Sequence, residues 1–241
     1  MIKQALILAA GLGSRMRPIT DKIPKPMVEI LGKSLISYII DQLYTAGVNK
    51  IVINLFYKGS LLKDHVEKYI NKYYSDINIH FLVEEELHEV WGSVKKSLSY
   101  FDDKPFFLVN GDSYWLDVKG NIFKDLYRAW QDKQMNALIS LCPIEKTTGY
   151  EGNGDFAIKN GKIIDPRLSP NKPLVYIGHQ IIDPGFLQNE PLKKANIFNI
   201  YAQHHYRGIY GFIYEGHWFH ICTPGSIDEA ESFLGRHSPQ Y

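Results

Sequence analysis

Short apolar runs and stretches of helical periodicity take turns along the first half of the chain. Residues 5–8 form a continuous apolar run ending in a glycine-rich turn, the pattern of a strand buried on both faces. Leu35, Ile36, Ile39, Ile40 and Leu43 make one helical stripe, and Gly47 follows where a helix-ending residue belongs. The same alternation continues with a strand over 51–55, a helix over 61–73, a strand over 77–83, a helix over 93–101 and a strand over 106–109. That strand stops at Asn110-Gly111-Asp112. A helix over 122–132 and a strand over 137–141 come next.

Strand–helix alternation implies right-handed crossovers and an α/β fold: a mostly parallel, Rossmann-like open sheet with helices on both faces. The second half reads differently. Gly149, Gly152, Gly154, Gly161, Pro166, Pro170 and Pro173 break it into loops, with short strands over 156–158 and 175–182. Thr223-Pro224 reads as an N-cap followed by proline at the first helical position, opening a last helix through Leu234. With no internal repeat, tract or linker, the expectation is one domain over 1–241, in halves 1–135 and 136–241.

Composition narrows the class. The 241 residues carry 27 Lys and Arg against 26 Asp and Glu, net +1, which argues against a dense nucleic-acid surface. Hydrophobic residues at 45% and charged residues at 22% are ordinary globular values, so neither disorder nor a fibrous chain is expected. Cys142 and Cys222 stand far apart without metal-site spacing and read as reduced thiols. The apolar run near the N-terminus is too short for a secretory segment, and no stretch approaches the ~18–20 apolar residues of a membrane span. A cytoplasmic protein with no membrane partner is expected.

Chemistry concentrates after the first strand, at Leu8-Ala9-Ala10-Gly11-Leu12-Gly13-Ser14-Arg15-Met16-Arg17-Pro18. Ligands of open α/β sheets bind at strand C-termini, and Gly11 and Gly13 allow backbone amides to converge on an anion. The segment lacks the Lys of a Walker A loop and the third Gly of a dinucleotide fingerprint, and Pro18 argues against a long helix there. A tight turn with a surface Arg remains an equal reading of this loop alone. Pro24-Lys25-Pro26 then holds one ammonium on a backbone expected to be stiff and extended. Asp112, at the end of the fourth strand, belongs on the same sheet edge; it either caps a turn or holds a cation against phosphate.

The pair L-A-A-G-x-G-x-R-M-R-P and P-K-P-M, with V-N-G-D further on, resembles the sugar-phosphate nucleotidyltransferase family. Those enzymes join a nucleoside triphosphate to a sugar 1-phosphate, releasing pyrophosphate. The resemblance implies nucleotide contacts from Leu8, Ala9, Ala10, Gly11 and Gly13, with Arg15 on the β- and γ-phosphates and Lys25 on the α-phosphate. It implies Glu84 and Gly92 near the nucleobase, Mg²⁺ on Asp112, and sugar contacts from Asp155 and Gly178. Arg15, Lys25 and Asp112 are the catalytic candidates. The segment order most resembles the short bacterial N-acetylmuramate α-1-phosphate uridylyltransferases, with mannose-1-phosphate guanylyltransferases next, so UTP with N-acetylmuramate 1-phosphate in cell-wall (peptidoglycan) recycling is the first expectation and GTP with mannose 1-phosphate the second.

Three positions depart from the family pattern. His220 stands where a second metal-binding Asp is usual, and imidazole is a poorer Mg²⁺ ligand. Cys222 replaces a Gly. Trp91 interrupts the stretch that lies against the base, where it either stacks on the base or serves as a core residue. These departures leave open a nucleotide-sugar-binding protein without catalysis; a monomer and a homodimer are equally compatible.

Overall fold

The computed structural model describes residues 1–118, 120–130, 135–169 and 173–237. In chain order the elements are β1 (Gln4–Leu8), a small hairpin of β2 (Glu29–Ile30) and β3 (Lys33–Ser34), α1 (Leu35–Thr45), β4 (Lys50–Leu55), α2 (Gly59–Tyr73) and β5 (Asn78–Val83). Next come α3 (Val90–Ser97), β6 (Phe106–Asn110), β7 (Ser113–Leu116), α4 (Ile122–Ala129), β8 (Ala137–Pro143), β9 (Thr147–Thr148), β10 (Ala157–Lys159) and β11 (Lys162–Ile164). The chain closes with β12 (Leu174–Ile182), α5 (Pro184–Leu187), α6 (Ile197–Gln203), β13 (Ile209–Ile213), β14 (His217–His220) and α7 (Pro224–His237).

A nine-stranded open sheet in the order β10-β11-β13-β8-β12-β6-β1-β4-β5 runs through both halves of the chain. β6, β1, β4 and β5 are parallel neighbours, and β13 is parallel to β8. Only β12 and β11 run against the rest, and β12 joins the halves by pairing with β6 on one side and β8 on the other. The α/β expectation holds. Strand alternation builds the layers. Ala5 and Ile7, Ile51 and Ile53, Phe107 and Val109 face the core under α1, α2 and α4. Leu6, Val52, Phe106 and Leu108 face the opposite core under α3 and α6. A second sheet of β7, β14 and β9 packs with α7 and α1 around Phe219, Ile221 and Leu35.

Boundaries differ from the sequence reading in instructive ways. α3 starts at Val90, three residues before Ser93, and gives way to a 3₁₀ turn at Leu98–Tyr100. Ser93 lies inside α3, and its hydroxyl donates to Glu84 Oε1 at 2.7 Å. α4 ends at Ala129, where Trp130 turns extended with ψ 130°; positions 131 and 132 of the expected helix, and Pro170, lie outside the described residues. α7 starts at Pro224 as expected and runs on to His237.

Candidate active site

β1 and β6 are parallel neighbours, so the loops leaving their C-terminal ends emerge side by side. The Gly111 amide donates to the Leu8 carbonyl at 2.8 Å. A Cβ at 111 would stand 2.6 Å from that oxygen, so only glycine permits the approach. The glycine loop is coupled to the lysine turn in the same manner. Gly13 adopts φ +61°, and a Cβ there would meet Thr20 Cγ2 at 2.9 Å and Lys25 Cβ at 3.0 Å. Thr20 Oγ1 donates to the Gly13 carbonyl at 2.8 Å. The two N-terminal motifs are thus one packed unit.

Lys25 is not on extended backbone. It opens a 3₁₀ turn, Lys25–Met27, closed by Met27 N–H on the Pro24 carbonyl at 2.9 Å and Val28 N–H on the Lys25 carbonyl at 3.0 Å. Pro24 is extended, and the proline at 26 costs no donor in a first turn, so the two prolines stiffen a bend rather than a straight segment. The bend brings Lys25 Nζ to 2.8 Å from Asp112 Oδ2, with the lysine side chain 10% exposed and the carboxylate 40% exposed.

These segments bound a cleft of about 410 Å³ lined by Leu8, Ala9, Ala10, Gly11, Lys25 and Asp112, and by Leu87, His88, Glu89 and Val90 from the approach to α3. Burial pushes the Asp112 carboxyl up, but the Lys25 ammonium, its hydrogen bond and nearby His220 together hold it below its ordinary value. Half-buried His220 is shifted down, by burial first and then by the charges of Lys25 and Arg15, against the pull of Asp112. Arg15 is exposed on the 3₁₀ turn Ser14–Met16 and does not line the cleft, though its charge reaches His220. Cys222 is not in the left-handed region, so the departure from Gly there carries no backbone strain. Both cysteines are free and buried.

The remaining sequence candidates sit around the cleft rather than in its wall. Glu84 is buried, accepting from Ser93 Oγ and from Asn54 Nδ2 at 3.0 Å. Asn54 Oδ1 in turn accepts the Ala9 amide at 2.6 Å, which fixes the cleft floor. Asn54 and Ser93 line the cleft and went unseen in the sequence, because a buried Asn at a strand end carries no local signal. Gly178 lies at the irregularity of β12, against Asn110 and Ser113, and Asp155 Oδ2 accepts the Tyr176 amide at 2.8 Å. Burial raises the Tyr176 hydroxyl, and the charge of Asp112 adds to the rise. Trp91 is fully buried: its Nε1 donates to the Pro191 carbonyl at 3.0 Å and its amide to Ala195 at 3.0 Å. It is a core residue that pins the 188–196 segment, bringing Asn196 to the cleft wall.

A strand-end glycine loop, a buried ammonium and a carboxylate around one cleft define a phosphate-handling α/β enzyme. The chain belongs to the nucleotidyl transferase family, whose model matches residues 4–163, and within it to the sugar-phosphate nucleotidyltransferases. It is 30% identical over 234 residues to N-acetylmuramate alpha-1-phosphate uridylyltransferase of Caulobacter vibrioides, covering 96% of this chain and 97% of the relative. It is 29% identical to mannose-1-phosphate guanyltransferase of Yarrowia lipolytica over 92% of this chain, but spans only 61% of that relative. Among solved structures, UDP-glucose pyrophosphorylase complexed with UDP-glucose matches with TM-score 0.76 at 20% identity, covering 98% and 99% of the two chains. HddC from Yersinia pseudotuberculosis matches with TM-score 0.75 at 22% identity, over 97% and 100%. Among the described residues no helix is long and apolar enough to cross a membrane.

Proposed function

We propose that this cleft transfers a uridylyl group from UTP to N-acetylmuramate 1-phosphate, giving the UDP-sugar and pyrophosphate. The observation that carries the reading is the Lys25–Asp112 pair at 2.8 Å, set against the glycine loop in a single cleft. The 30% identity to the Caulobacter uridylyltransferase over nearly the whole of both chains supports the choice of substrates.

The sugar phosphate attacks the α-phosphorus in line. Its oxygen is already anionic, so no general base is needed. The obstacle is the meeting of two polyanions: unit charges ~4 Å apart repel by about 4 kcal/mol at an effective dielectric near 20. Lys25 meets the α-phosphate, Arg15 swings in from its exposed turn to the β- and γ-phosphates, and amides of residues 9–13 orient the chain of phosphates. Asp155 and Gly178 flank the sugar.

The donor set at Asp112 suits a hard divalent cation. One carboxylate, partly open to the cleft and held below its ordinary pKa, stands near the His220 imidazole, and such an ion takes its other ligands from phosphate and water. Asp112 would hold Mg²⁺, with His220 positioned to hydrogen-bond a phosphate. When bound, Mg²⁺ supplies charge neutralisation at the reacting phosphates.

A pyrophosphate-release assay over UTP, GTP, CTP and ATP, crossed with N-acetylmuramate, mannose and glucose 1-phosphates, tests the reading. The expected result is fastest turnover with UTP and N-acetylmuramate 1-phosphate, abolished by EDTA and restored by Mg²⁺. Preferred turnover of GTP with mannose 1-phosphate would replace the substrate pair and keep the chemistry. Nucleotide binding with no release from any pair would point to a binding protein.

A further inference from the structure

Neither Glu84 nor Gly92, both placed near the base by the resemblance, lines the cleft. Glu84 belongs instead to a buried network under the glycine loop, with Asn54 of β4 at its centre. Asn54 and Ser93 are 2% exposed and Glu84 is 4% exposed. Asn54 Oδ1 accepts the Ala9 amide at 2.6 Å. Its Nδ2 donates to Glu84 Oε1 and to Ser93 Oγ, each at 3.0 Å. Ser93 Oγ donates in turn to Glu84 Oε1 at 2.7 Å, and Glu84 Oε2 faces the His88 amide at 3.5 Å.

The polarity of this network is fixed at both ends. The Ala9 N–H only donates, and a carboxylate only accepts. An amide side chain between them fits in one orientation, oxygen toward Ala9 and nitrogen toward Glu84. Ser93 cannot decide the matter, because a hydroxyl does both. The Ala9 bond sets the direction in which the chain leaves β1 for Ala10 and Gly11, which line the cleft. A Cβ at Gly11 would meet nothing within 4 Å, whereas Gly13 is packed against Thr20 and Lys25. The open stretch is therefore aimed from its two ends, Gly13 on one side and Ala9, held by Asn54, on the other.

We propose that Asn54 is a positioning residue for nucleotidyl transfer: held in one orientation by Glu84, it sets the aim of the glycine loop on the triphosphate, acting through the Ala9 amide. The proposal rests on the nucleotidyl-transfer reading. Glu84 is then a partner of the loop rather than of the base.

A polarity swap tests it. Asn54→Asp sets an acceptor against Glu84, while Glu84→Gln added to it supplies an Nε2 donor and restores the bond in reverse, with an aspartate oxygen still open to the Ala9 N–H. Pyrophosphate release is measured with the nucleotide and sugar 1-phosphate that the wild type turns over fastest, at a temperature where melting curves show every variant folded. Asn54→Asp should lower kcat/KM for the nucleotide about 10–100-fold and leave KM for the sugar phosphate within about twofold. Glu84→Gln alone should stay within about threefold of wild type, and the double variant should recover to about that level, a strong departure from additivity. Asn54→Leu, which offers Ala9 no acceptor, should lose as much as Asn54→Asp and gain nothing from Glu84→Gln. If Asn54→Asp does not fold, the double variant carries the test: turnover near wild type supports the pairing, and a loss above about tenfold overturns it. Wild-type kinetics in folded Asn54→Asp or Asn54→Leu, a double variant no better than Asn54→Asp, equal rescue of Asn54→Leu, or matching rises in both KM values would each overturn the assignment and leave nucleotidyl transfer standing. A wild type that releases pyrophosphate from no pair would remove both.

Discussion

Lys25 and Asp112 are partners of unequal exposure, and that inequality separates their roles. Removing either should lower kcat by about 10²–10³, the usual cost of losing one preorganised electrostatic contact to a reacting phosphate. Stability should split the two. Asp112→Ala leaves an ammonium whose side chain is 10% exposed without its counter-charge, whereas Lys25→Ala leaves a carboxylate that is 40% exposed and can be solvated. Asp112→Ala is therefore expected to melt several degrees below Lys25→Ala, at equal loss of turnover. Equal melting temperatures, or near-normal kcat in either variant, would contradict the asymmetry.

Between elements, close backbone approaches do what no single side chain does. Gly111→Ala puts a methyl group 2.6 Å from the Leu8 carbonyl and must part the loops of β1 and β6. Overpacking of this kind costs about 1–3 kcal/mol, or roughly 3–10 °C in a chain of this size. Gly11→Ala meets nothing within 4 Å and should leave the melting temperature in place; thermal melts of the two variants decide it. The sequence carried the alternation of β1, α1, β4, α2, β5 and β6, because each buries its own face with a local period. It also carried the place of both loops, since glycine, proline and charge at strand ends are local signals, but not the bend at Lys25, which it read as extended backbone. It did not carry the sheet of β7, β14 and β9, whose strands of two to four residues are defined by partners about 70 to 100 residues apart. Nor did it carry the duty of Trp91, which depends on Pro191 and Ala195, or the Asn54–Glu84–Ser93 network under the loop. Contacts of that kind leave no period in the chain.

For the molecule as a whole, the carboxylate arm must be docked on the main sheet to keep Asp112 in register with Lys25. The arm runs from β6 through Asp112 into β7, and beyond β7 the Tyr214 hydroxyl donates to Asp117 Oδ1 at 3.0 Å. Tyr214 itself is anchored by its amide to Leu141 of β8, so this bond ties the small sheet to the large one. The tie comes with a charge penalty. Burial pushes the Asp117 carboxyl up from 3.8 to about 6, against the hydrogen bonds from Tyr214 and Ile122, with Asp125 adding to the rise. A carboxyl whose folded value is raised stabilises the fold fully below its unfolded value and loses that contribution as pH climbs through the folded one. Wild-type stability should therefore carry a loss between pH 3.8 and about 6 that persists at neutrality. Asp117→Asn keeps an oxygen for the Tyr214 hydroxyl and removes the ionisation. The variant should melt above the wild type at pH 7.5, and the gap should close as pH falls through 6 toward 4. A gap independent of pH, or a variant less stable at pH 7.5, would mean that the ionised carboxylate itself holds the two sheets together.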